Sequence, residues 1–571
     1  MQRFIREHPG TSFGLLASIG SVFALRPLPS SVPLVALLVQ TRLATQYIIP
    51  RPHRWLRIGL LWLAITAGCT ISFASAGSTA INSFGASIAY SAVFSALGLI
   101  PFIICSLLRI RGLAFPAVWS TWWWFITSES PIGRLGAWSP LYGYETYAWT
   151  RPVFGELAID WIVGAWCEVL AGFVASQMMG HRDQNEEMPA EEDTPLLLPV
   201  DSPTPNTTPS KRVIKSSNQI SIMTIILVVA TIPSTFINPL PPRLHPLPGE
   251  NRRDIGVACV LPELDNVHPP FDLFLKETRA IAGRAHIVLW PEGAVSFDSE
   301  ADRNNKLEIV QNTTAINGIW VGVAFADPVP GHGEDAKGKR RNGIAIVSSD
   351  GVVLEYYKRN LVPCKHIFYA VSPHAKTAPV VESFPQVKGT LPPSIIDIKL
   401  GSKSKPSAQW NITLSASICL DFAHPSHDLA SKPSLILGPA RTWHTNVGRV
   451  MMEMAKQRAE ELGTRVLWCD GGEGGLSGIV GMGESGVQVG HGTWVRRLSF
   501  ELPVDEKKTA FGRAGALWGL WLVWAIALGS IPARYTSKRP SVTPDDVWRR
   551  LRALFQRSRG TSQPAPNLLE D

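Results

Sequence analysis

Three residues, each near the end of a strand-like apolar run, carry the side chains needed for acyl transfer through a thioester. Glu292 follows Trp-Pro and supplies a carboxylate, Lys358 follows Tyr-Tyr and supplies an ammonium group, and Cys419 follows Ser-Ile and supplies a thiol. A thiol attacks a carbonyl only as the thiolate, so it needs a nearby base or cation. Glu292 can take the proton and return it to the leaving group, while Lys358 stabilises the thiolate and the oxyanion.

Taken singly, each of these residues has a more ordinary explanation. A Glu after a strand is commonly a surface acid, a Lys is usually solvated, and a Cys is commonly a small buried hydrophobe. The prediction of catalysis therefore depends on the three residues being brought together.

The elements that would bring them together form an α/β pattern over residues 251–505. Short β-rich runs alternate with turns and two helical stretches, which predicts a layered domain with its active site at the strand ends. Ser349-Asp350-Gly351 predicts a hairpin turn, and the second helix should end at Gly463. The predicted helices are Phe271 to Arg284 and Asn446 to Leu462, and the predicted strands are Ile255 to Leu261, His286 to Trp290, Ile319 to Ala326, Ile344 to Val347, Val352 to Tyr356, Ile412 to Cys419, Ser434 to Leu437 and Arg465 to Trp468.

The composition of the whole chain points to a membrane protein. Of 571 residues, 45% are hydrophobic and only 18% are charged, which is too apolar for a soluble enzyme of this size. The net charge of +8 is spread over short loops and a tail, so a nucleic-acid partner is not predicted. The seven cysteines lack framework spacing; this argues against a disulfide scaffold and permits a functional free thiol.

Apolar windows long enough for a bilayer predict about eight spans, about six of them within residues 1–180. Residues 220–240 and 514–531 supply the others, residues 181–219 read as a disordered cytoplasmic linker, and residues 532–571 form a basic cytoplasmic tail. The tail is either a helix on an anionic membrane surface or a solvated basic segment. The predicted spans are Thr11 to Leu25, Val32 to Ile49, Ile58 to Ala76, Ala86 to Leu108, Leu113 to Thr127, Phe154 to Gly180, Ile220 to Leu240 and Ala514 to Ile531.

Loop charges predict the orientation of these spans. Arginines and lysines recur in alternate loops, so we expect cytoplasmic termini and a lumenal or extracytoplasmic α/β domain. Two sequons in that domain, at Asn312 and Asn411, agree with this side. The first segment reads as a retained helix instead of a cleaved signal peptide, because no small-residue cleavage site follows it.

The order Trp-Pro-Glu, Tyr-x-Lys-x-x-Leu-Val-Pro and Ile-Cys resembles the nitrilase superfamily. Residues 357–363 and the multi-spanning frame look like its apolipoprotein N-acyltransferase branch, and the helix Met451 to Glu461 resembles the branch's helix after the nucleophile. The resemblance implies an αββα sandwich inserted before the last membrane helix, with Glu292, Lys358 and Cys419 as the catalytic triad.

The chain departs from that branch at two places near the triad. Cys364-Lys365-His366 replaces Phe-Gly-Glu, so the second active-site glutamate of the branch is missing, and His366 is either a polar positioning group or a loop histidine. Asp421 stands where the branch has a Glu two residues after the nucleophile, either to orient the site or as a turn residue.

Other polar clusters do not predict a cofactor or a metal. Residues 471–475 lack the Gly-Lys-Ser/Thr ending of a phosphate loop and read as a mobile loop near the site. His424, His427 and His444 do not have the spacing of a zinc site.

These features predict a membrane-bound acyltransferase of a eukaryotic host, working by a ping-pong reaction. A membrane lipid is the expected acyl donor, and an amine is the acceptor; the chemical identity of the amine and the oligomeric state are left open. The alternatives are a carbon–nitrogen hydrolase in which water resolves the thioester, and a non-catalytic membrane protein that binds lipids or partners.

Overall fold

The computed structural model describes residues 8–74, 82–180, 211–237, 251–263, 269–330, 338–362, 386–401, 409–425, 429–473 and 475–529. Two regions stand out in it. The first is a bundle of apolar helices built from the N-terminal half of the chain and the last described helix. The second, between them in sequence, contains two β-sheets covered by helices.

Ten helices belong to the apolar bundle or its connections, among the described residues. They are α1 (Pro9–Ala24), α2 (Ser31–Ile48), α3 (Arg54–Ala74), α4 (Asn82–Leu107), α5 (Ala114–Glu129), α6 (Arg151–Phe154), α7 (Glu156–Gly180), α8 (Lys211–Val229), α9 (Ser234–Ile237) and α13 (Ala510–Gly529).

Four of these helices contain segments long and apolar enough to cross a bilayer: Arg54–Ala74, Ser87–Leu107, Glu156–Gln177 and Ala510–Gly529. Gly10–Ala24 and Ile220–Phe236 are apolar but shorter. Large apolar side chains on the outer faces remain exposed, including Leu60 in α3 and Trp521 in α13, as expected for surfaces that contact lipid. The prediction of about eight spans is therefore supported for four helices.

Several predicted boundaries in the bundle were wrong. The stretch Phe154 to Gly180 is interrupted, because Gly155 has a φ of 67° that a continuous helix cannot accommodate. α13 has a similar break at Gly515, with a φ of 63°. The linker 181–219 was set too long: α8 begins at Lys211, since its intrahelical hydrogen bonds extend into the polar segment before the apolar one. Residues 181–210 and 530–571, with the basic tail, lie outside the described residues.

The α/β layering predicted for the second region is confirmed. The strands are β1 (Arg252–Cys259), β2 (Ile287–Leu289), β3 (Val295–Ser296), β4 (Trp320–Pro328), β5 (Arg340–Ser348), β6 (Gly351–Tyr357), β7 (Ile396–Leu400), β8 (Trp410–Ala416), β9 (Leu435–Ala440), β10 (Arg465–Asp470), β11 (Leu476–Gly481), β12 (Glu484–Val489) and β13 (Trp494–Glu501). One sheet has the order β13-β1-β2-β4-β5-β6, with β3 paired to β4, and the other has the order β12-β11-β10-β9-β8-β7.

The two sheets face each other, and helices cover their outer faces. Apolar residues of both sheets, such as Val257, Ile346 and Leu437, share one core. A second core joins the first sheet to α10 (Pro270–Ile281) and α11 (Glu300–Asn317). On the other side α12 (Thr445–Leu462) packs on β10 and β11. The order of layers is helix, sheet, sheet, helix.

A disulfide between Cys259 and Cys469 joins the two sheets, with a Cα–Cα distance of 5.5 Å. Cys259 is the last residue of β1, and Cys469 is the next-to-last residue of β10. The two cysteines are 210 residues apart in sequence. The expectation that the cysteines form no disulfide scaffold holds only in part, because a single bond of this separation leaves no spacing pattern in the sequence.

Buried ion pairs attach the α/β region to the helical bundle. Arg151 at the start of α6 contacts Glu156 at 2.9 Å and Glu460 of α12 at 2.5 Å. Glu461 of α12 accepts a hydrogen bond from the Glu156 main-chain N–H at 3.0 Å and pairs with Arg458. Since such charges are costly to bury unpaired, this contact fixes α12 against the bundle.

Candidate active site

Glu292 and Lys358 form a buried ion pair at the end of the first sheet. The Lys358 Nζ lies 2.6 Å from Oε1 of Glu292, and the two residues are 2% and 6% exposed. Glu292 is placed by the turn after β2, where its main-chain N–H donates to the Ala440 carbonyl at 3.3 Å. Lys358 directly follows β6. The ammonium and carboxylate groups predicted from separate parts of the sequence are thus in contact.

Asn342 on β5 completes this pair and was not predicted. Its Nδ2 donates to Glu292 Oε1 at 2.5 Å, and its carbonyl accepts the main-chain N–H of Lys358 at 2.8 Å. It lies opposite Lys358 because a bulge at Ile346/Val347 shifts the β5–β6 register by one residue. Without the bulge, pairing counted from the hairpin turn would place Arg341 opposite Lys358. The sequence therefore marks Asn342 only as a polar residue next to an apolar strand.

Cys419 lies at the start of a 3₁₀ helix, Cys419–Ala423. The predicted strand to Cys419 was too long, since β8 ends at Ala416. Cys419 has a φ of 42°, in the left-handed region that a β-strand cannot contain and that is uncommon for a residue with a side chain. Such backbone strain is often found at functional sites, where the surrounding contacts hold it.

Electrostatic interactions connect the Cys419 thiol to the ion pair. Burial raises the pKa of Cys419 well above the usual value, the Glu292 carboxylate raises it further, and Lys358 opposes both. The buried carboxylate of Asp470 also raises the pKa, whereas a hydrogen bond from the Arg441 main-chain N–H lowers it. At neutral pH the resting thiol is therefore protonated, and attack on a carbonyl requires a base.

Asp421 connects the 3₁₀ helix that begins at Cys419 to the residues on either side of Lys358. Its carboxylate accepts the Tyr356 hydroxyl at 2.8 Å and the main-chain N–H groups of Asn360 at 2.8 Å and Ile418 at 3.1 Å. Burial raises the pKa of this carboxyl, while Lys358 and these donors lower it. Of the two roles considered for Asp421, these contacts favour orientation of the site.

The first two residues of the glycine-rich segment after β10 are hydrogen-bonded to the site region. Gly471 N–H donates to Ala440 O at 3.0 Å and Gly472 N–H to Asp470 Oδ1 at 3.0 Å. A Cβ at Gly472 would lie 1.7 Å from the Thr442 carbonyl oxygen, so only glycine fits there. Gly471 and Gly472 thus lie directly against residues 440–442.

The 3₁₀ helix Cys419–Ala423 also contacts the helical bundle. Ala423 O, at the end of the 3₁₀ helix, accepts the main-chain N–H of Arg134 at 3.0 Å, and Arg134 lies in the connection after α5. Gly133 has a φ of 56°, and a Cβ there would lie 2.3 Å from the same oxygen. The distance from Cys419 to this contact is about 8 Å, at roughly 2 Å per residue of 3₁₀ helix.

Of the predicted site residues, four converge: Glu292, Lys358, Cys419 and Asp421. His366 lies outside the described residues. Besides Asn342, sequence reasoning missed Asp470, which ends β10 beside the site. Its only signal was an acid at the end of an apolar strand.

Comparisons with known proteins add little to this geometry. Neither a family model nor a curated protein matches the chain. Among solved structures it is similar to glutamine-dependent NAD+ synthetases, from Acinetobacter baumannii (12% identity over 45% of this chain and 47% of that chain, TM-score 0.28) and from Cytophaga hutchinsonii (12% identity over 44% of each, TM-score 0.27). The chain thus spans less than half the length of either protein. At these TM-scores any assignment of function depends on the residues of this chain.

Proposed function

We propose that the chain is a membrane-bound, nitrilase-like acyltransferase that forms a thioester on Cys419 and passes the acyl group to an amine. The observation that carries this proposal is the buried Lys358–Glu292 pair, with a distance of 2.6 Å, acting on a buried thiol. A carboxylate, an ammonium group and a thiol in one water-poor site supply the base, the oxyanion partner and the nucleophile.

In the first half-reaction Glu292 takes the Cys419 thiol proton. Both hydrogen bonds from Lys358 and Asn342 go to Oε1, so we assign the proton to Oε2. The sulfur attacks the ester carbonyl of a phospholipid, and the oxyanion lies against Lys358. The C–O bond then breaks, and the lysophospholipid alcohol leaves with the proton from Glu292.

In the second half-reaction an amine attacks the thioester carbonyl. Glu292 takes a proton from the amine, a C–N bond forms, the C–S bond breaks, and the proton returns to Cys419. Lys358 again stabilises the tetrahedral intermediate. The products are an amide and the free enzyme.

A lipid donor is supported by the contact between the 3₁₀ helix Cys419–Ala423 and the helical bundle. Arg134, which donates to Ala423 O, lies between α5 and the candidate membrane span in α7. The backbone of Cys419 is therefore about 8 Å along the 3₁₀ helix from a connection of the membrane bundle. A hydrolase of small soluble amides has no need of this attachment.

A lumenal or extracytoplasmic site is supported by the chemistry of the α/β region. The Cys259–Cys469 disulfide is of a kind that persists in oxidising compartments. The sequon residues Asn312 and Asn411 are both exposed. Both features agree with the orientation predicted from the loop charges.

Incubation of the purified full chain with a phospholipid carrying a labelled acyl chain tests the proposal. We expect label on the wild-type protein and none on Cys419→Ala, with release only after an amine is added. Release by water at the same rate would favour the carbon–nitrogen hydrolase. Failure to label, in protein whose thiol is reactive to alkylation, would favour a lipid- or partner-binding role.

A further inference from the structure

Asp470 is a buried carboxylate beside the site that the proposed proton transfers do not use. It is 1% exposed and lies at the end of β10, next to the disulfide cysteine Cys469. Its main-chain N–H donates to Ser477 Oγ at 2.9 Å. This hydrogen bond holds the backbone of Asp470 against β11.

Both carboxylate oxygens point to the segment after β9. Oδ1 accepts the Thr442 main-chain N–H at 2.9 Å, and Oδ2 accepts the Thr442 hydroxyl at 2.6 Å. Oδ1 also accepts the Gly472 N–H at 3.0 Å. Hydrogen bonds to an ionised carboxylate are stronger than those between neutral groups, so Asp470 fixes Thr442 in place.

The two residues before Thr442 contact the proposed catalytic groups. The Ala440 carbonyl accepts the main-chain N–H of Glu292 at 3.3 Å, and the Arg441 main-chain N–H is directed at the Cys419 sulfur. A displacement of residues 440–442 would thus move the base and withdraw a donor from the nucleophile.

We propose that Asp470 is a positioning residue, which holds residues 440–442 through Thr442 so that the Arg441 N–H stays on Cys419 and Glu292 stays beside it. This inference rests on the proposed thioester chemistry. It assigns a role to an acid whose charge works against thiolate formation, because Asp470, like Glu292, raises the pKa of Cys419, whereas Lys358 lowers it. Asp470 therefore favours the reaction only if its hydrogen bonds to Thr442 help catalysis more than its charge hinders thiolate formation.

Thr442 offers a matched pair of variants. Thr442→Ala and Thr442→Ser both remove the methyl group, but only the first removes the hydroxyl that donates to Asp470. The full chain in detergent is alkylated with iodoacetamide over a range of pH, with Cys419→Ala as the blank. Acyl-enzyme formation from labelled phospholipid is measured on the same samples.

We expect Thr442→Ala to move the midpoint of Cys419 alkylation to higher pH. Acylation should slow about 10- to 100-fold, while the phospholipid concentration that gives half the maximal rate stays unchanged. Thr442→Ser should behave like the wild type. Asp470→Asn is the second variant, because its new amide nitrogen cannot accept the Thr442 hydroxyl. It should also slow acylation, yet move the midpoint to lower pH, since a negative charge near the thiol is lost.

Wild-type midpoints and rates in Thr442→Ala would overturn the positioning role. If Thr442→Ala does not fold, a wild-type acylation rate in Asp470→Asn would overturn it whatever the midpoint, because loss of the charge alone lowers the midpoint. Failure of the proposed function has a different signature, in which no acyl-enzyme forms in any variant. The alkylation midpoints then still decide whether Asp470 acts on Cys419 through Thr442.

Discussion

The Nζ of Lys358 lies 2.6 Å from Oε1 of Glu292 in a site where both side chains are almost fully buried. A charge in such a place is tolerated only when it is paired, because a lone charge would have neither water nor a counterion. This relationship makes separate predictions for stability and for chemistry.

Lys358→Met removes the cation from the buried Glu292 carboxylate and leaves it the neutral amide of Asn342 as a donor. We expect the free energy of unfolding to fall by about 3–5 kcal/mol, the usual cost of breaking a buried pair. Thermal unfolding of the full chain in detergent checks this value. The control is the double variant Lys358→Met/Glu292→Leu, which should recover most of the loss; equal losses in both proteins would contradict a paired charge.

Glu292→Gln should affect the free thiol and the reaction in opposite directions. Glu292 raises the pKa of Cys419, so its removal lets the thiolate form at lower pH and makes alkylation faster near neutral pH. Acylation by substrate should nevertheless slow by about 10²- to 10⁴-fold, because the general base is gone. Parallel pH profiles of alkylation and acylation measure both effects.

If the rates of alkylation and acylation both rose, or both fell, the result would argue against Glu292 as the general base. Lys358→Met provides the opposite control on the thiol: its alkylation midpoint should move to higher pH, since a cation that lowers the pKa is lost.

Gly133→Ala tests whether the helical bundle positions the 3₁₀ helix that carries Cys419, the proposed nucleophile. The new Cβ would lie 2.3 Å from the Ala423 carbonyl oxygen, so Arg134 and the 3₁₀ helix carrying Cys419 must separate. We expect acylation to slow by at least about tenfold, since small displacements at such sites can cost up to 10²-fold. Gly318→Ala is a matched control: its φ of 64° is similar, but nothing lies within 4 Å of the added methyl. Equal activity of the two variants would argue against this coupling.

The orientation of the α/β region predicts glycosylation. Asn312 and Asn411 are exposed, so expression in eukaryotic cells should give a protein whose gel mobility increases after deglycosylation. Asn312→Gln and Asn411→Gln together should abolish that shift. An unmodified protein with reduced Cys259 and Cys469 would place this region on the cytoplasmic side.

The sequence predicted best the elements with strong local signals. α12 ends at Leu462 and is capped by Gly463 as expected, because periodic apolar residues are followed by a glycine that can adopt a φ of 66°. Each predicted strand overlaps an observed one, since continuous β-branched runs fit a buried sheet.

The parts that were missed depend on contacts between distant segments. Asn342 faces Lys358 only because of a bulge, and the left-handed backbone of Cys419 has no local signature. β11 and β12 lie in a glycine-rich stretch whose composition argues against strands, and their pairing with each other and with β10 supplies the missing stabilisation. Asp470 reaches Thr442 only because β9 and β10 pair side by side, so its role could not be predicted from the local sequence.

Intact-protein mass spectrometry of the full chain, after incubation with a defined phospholipid, tests the thioester most directly. The account predicts a mass increase of one acyl chain, mapped to Cys419, removed by hydroxylamine at neutral pH and by an added amine, and absent from Cys419→Ala. An adduct of the same mass on Cys419→Ala, or none on a wild-type protein whose Cys419 is alkylated by iodoacetamide, would contradict it.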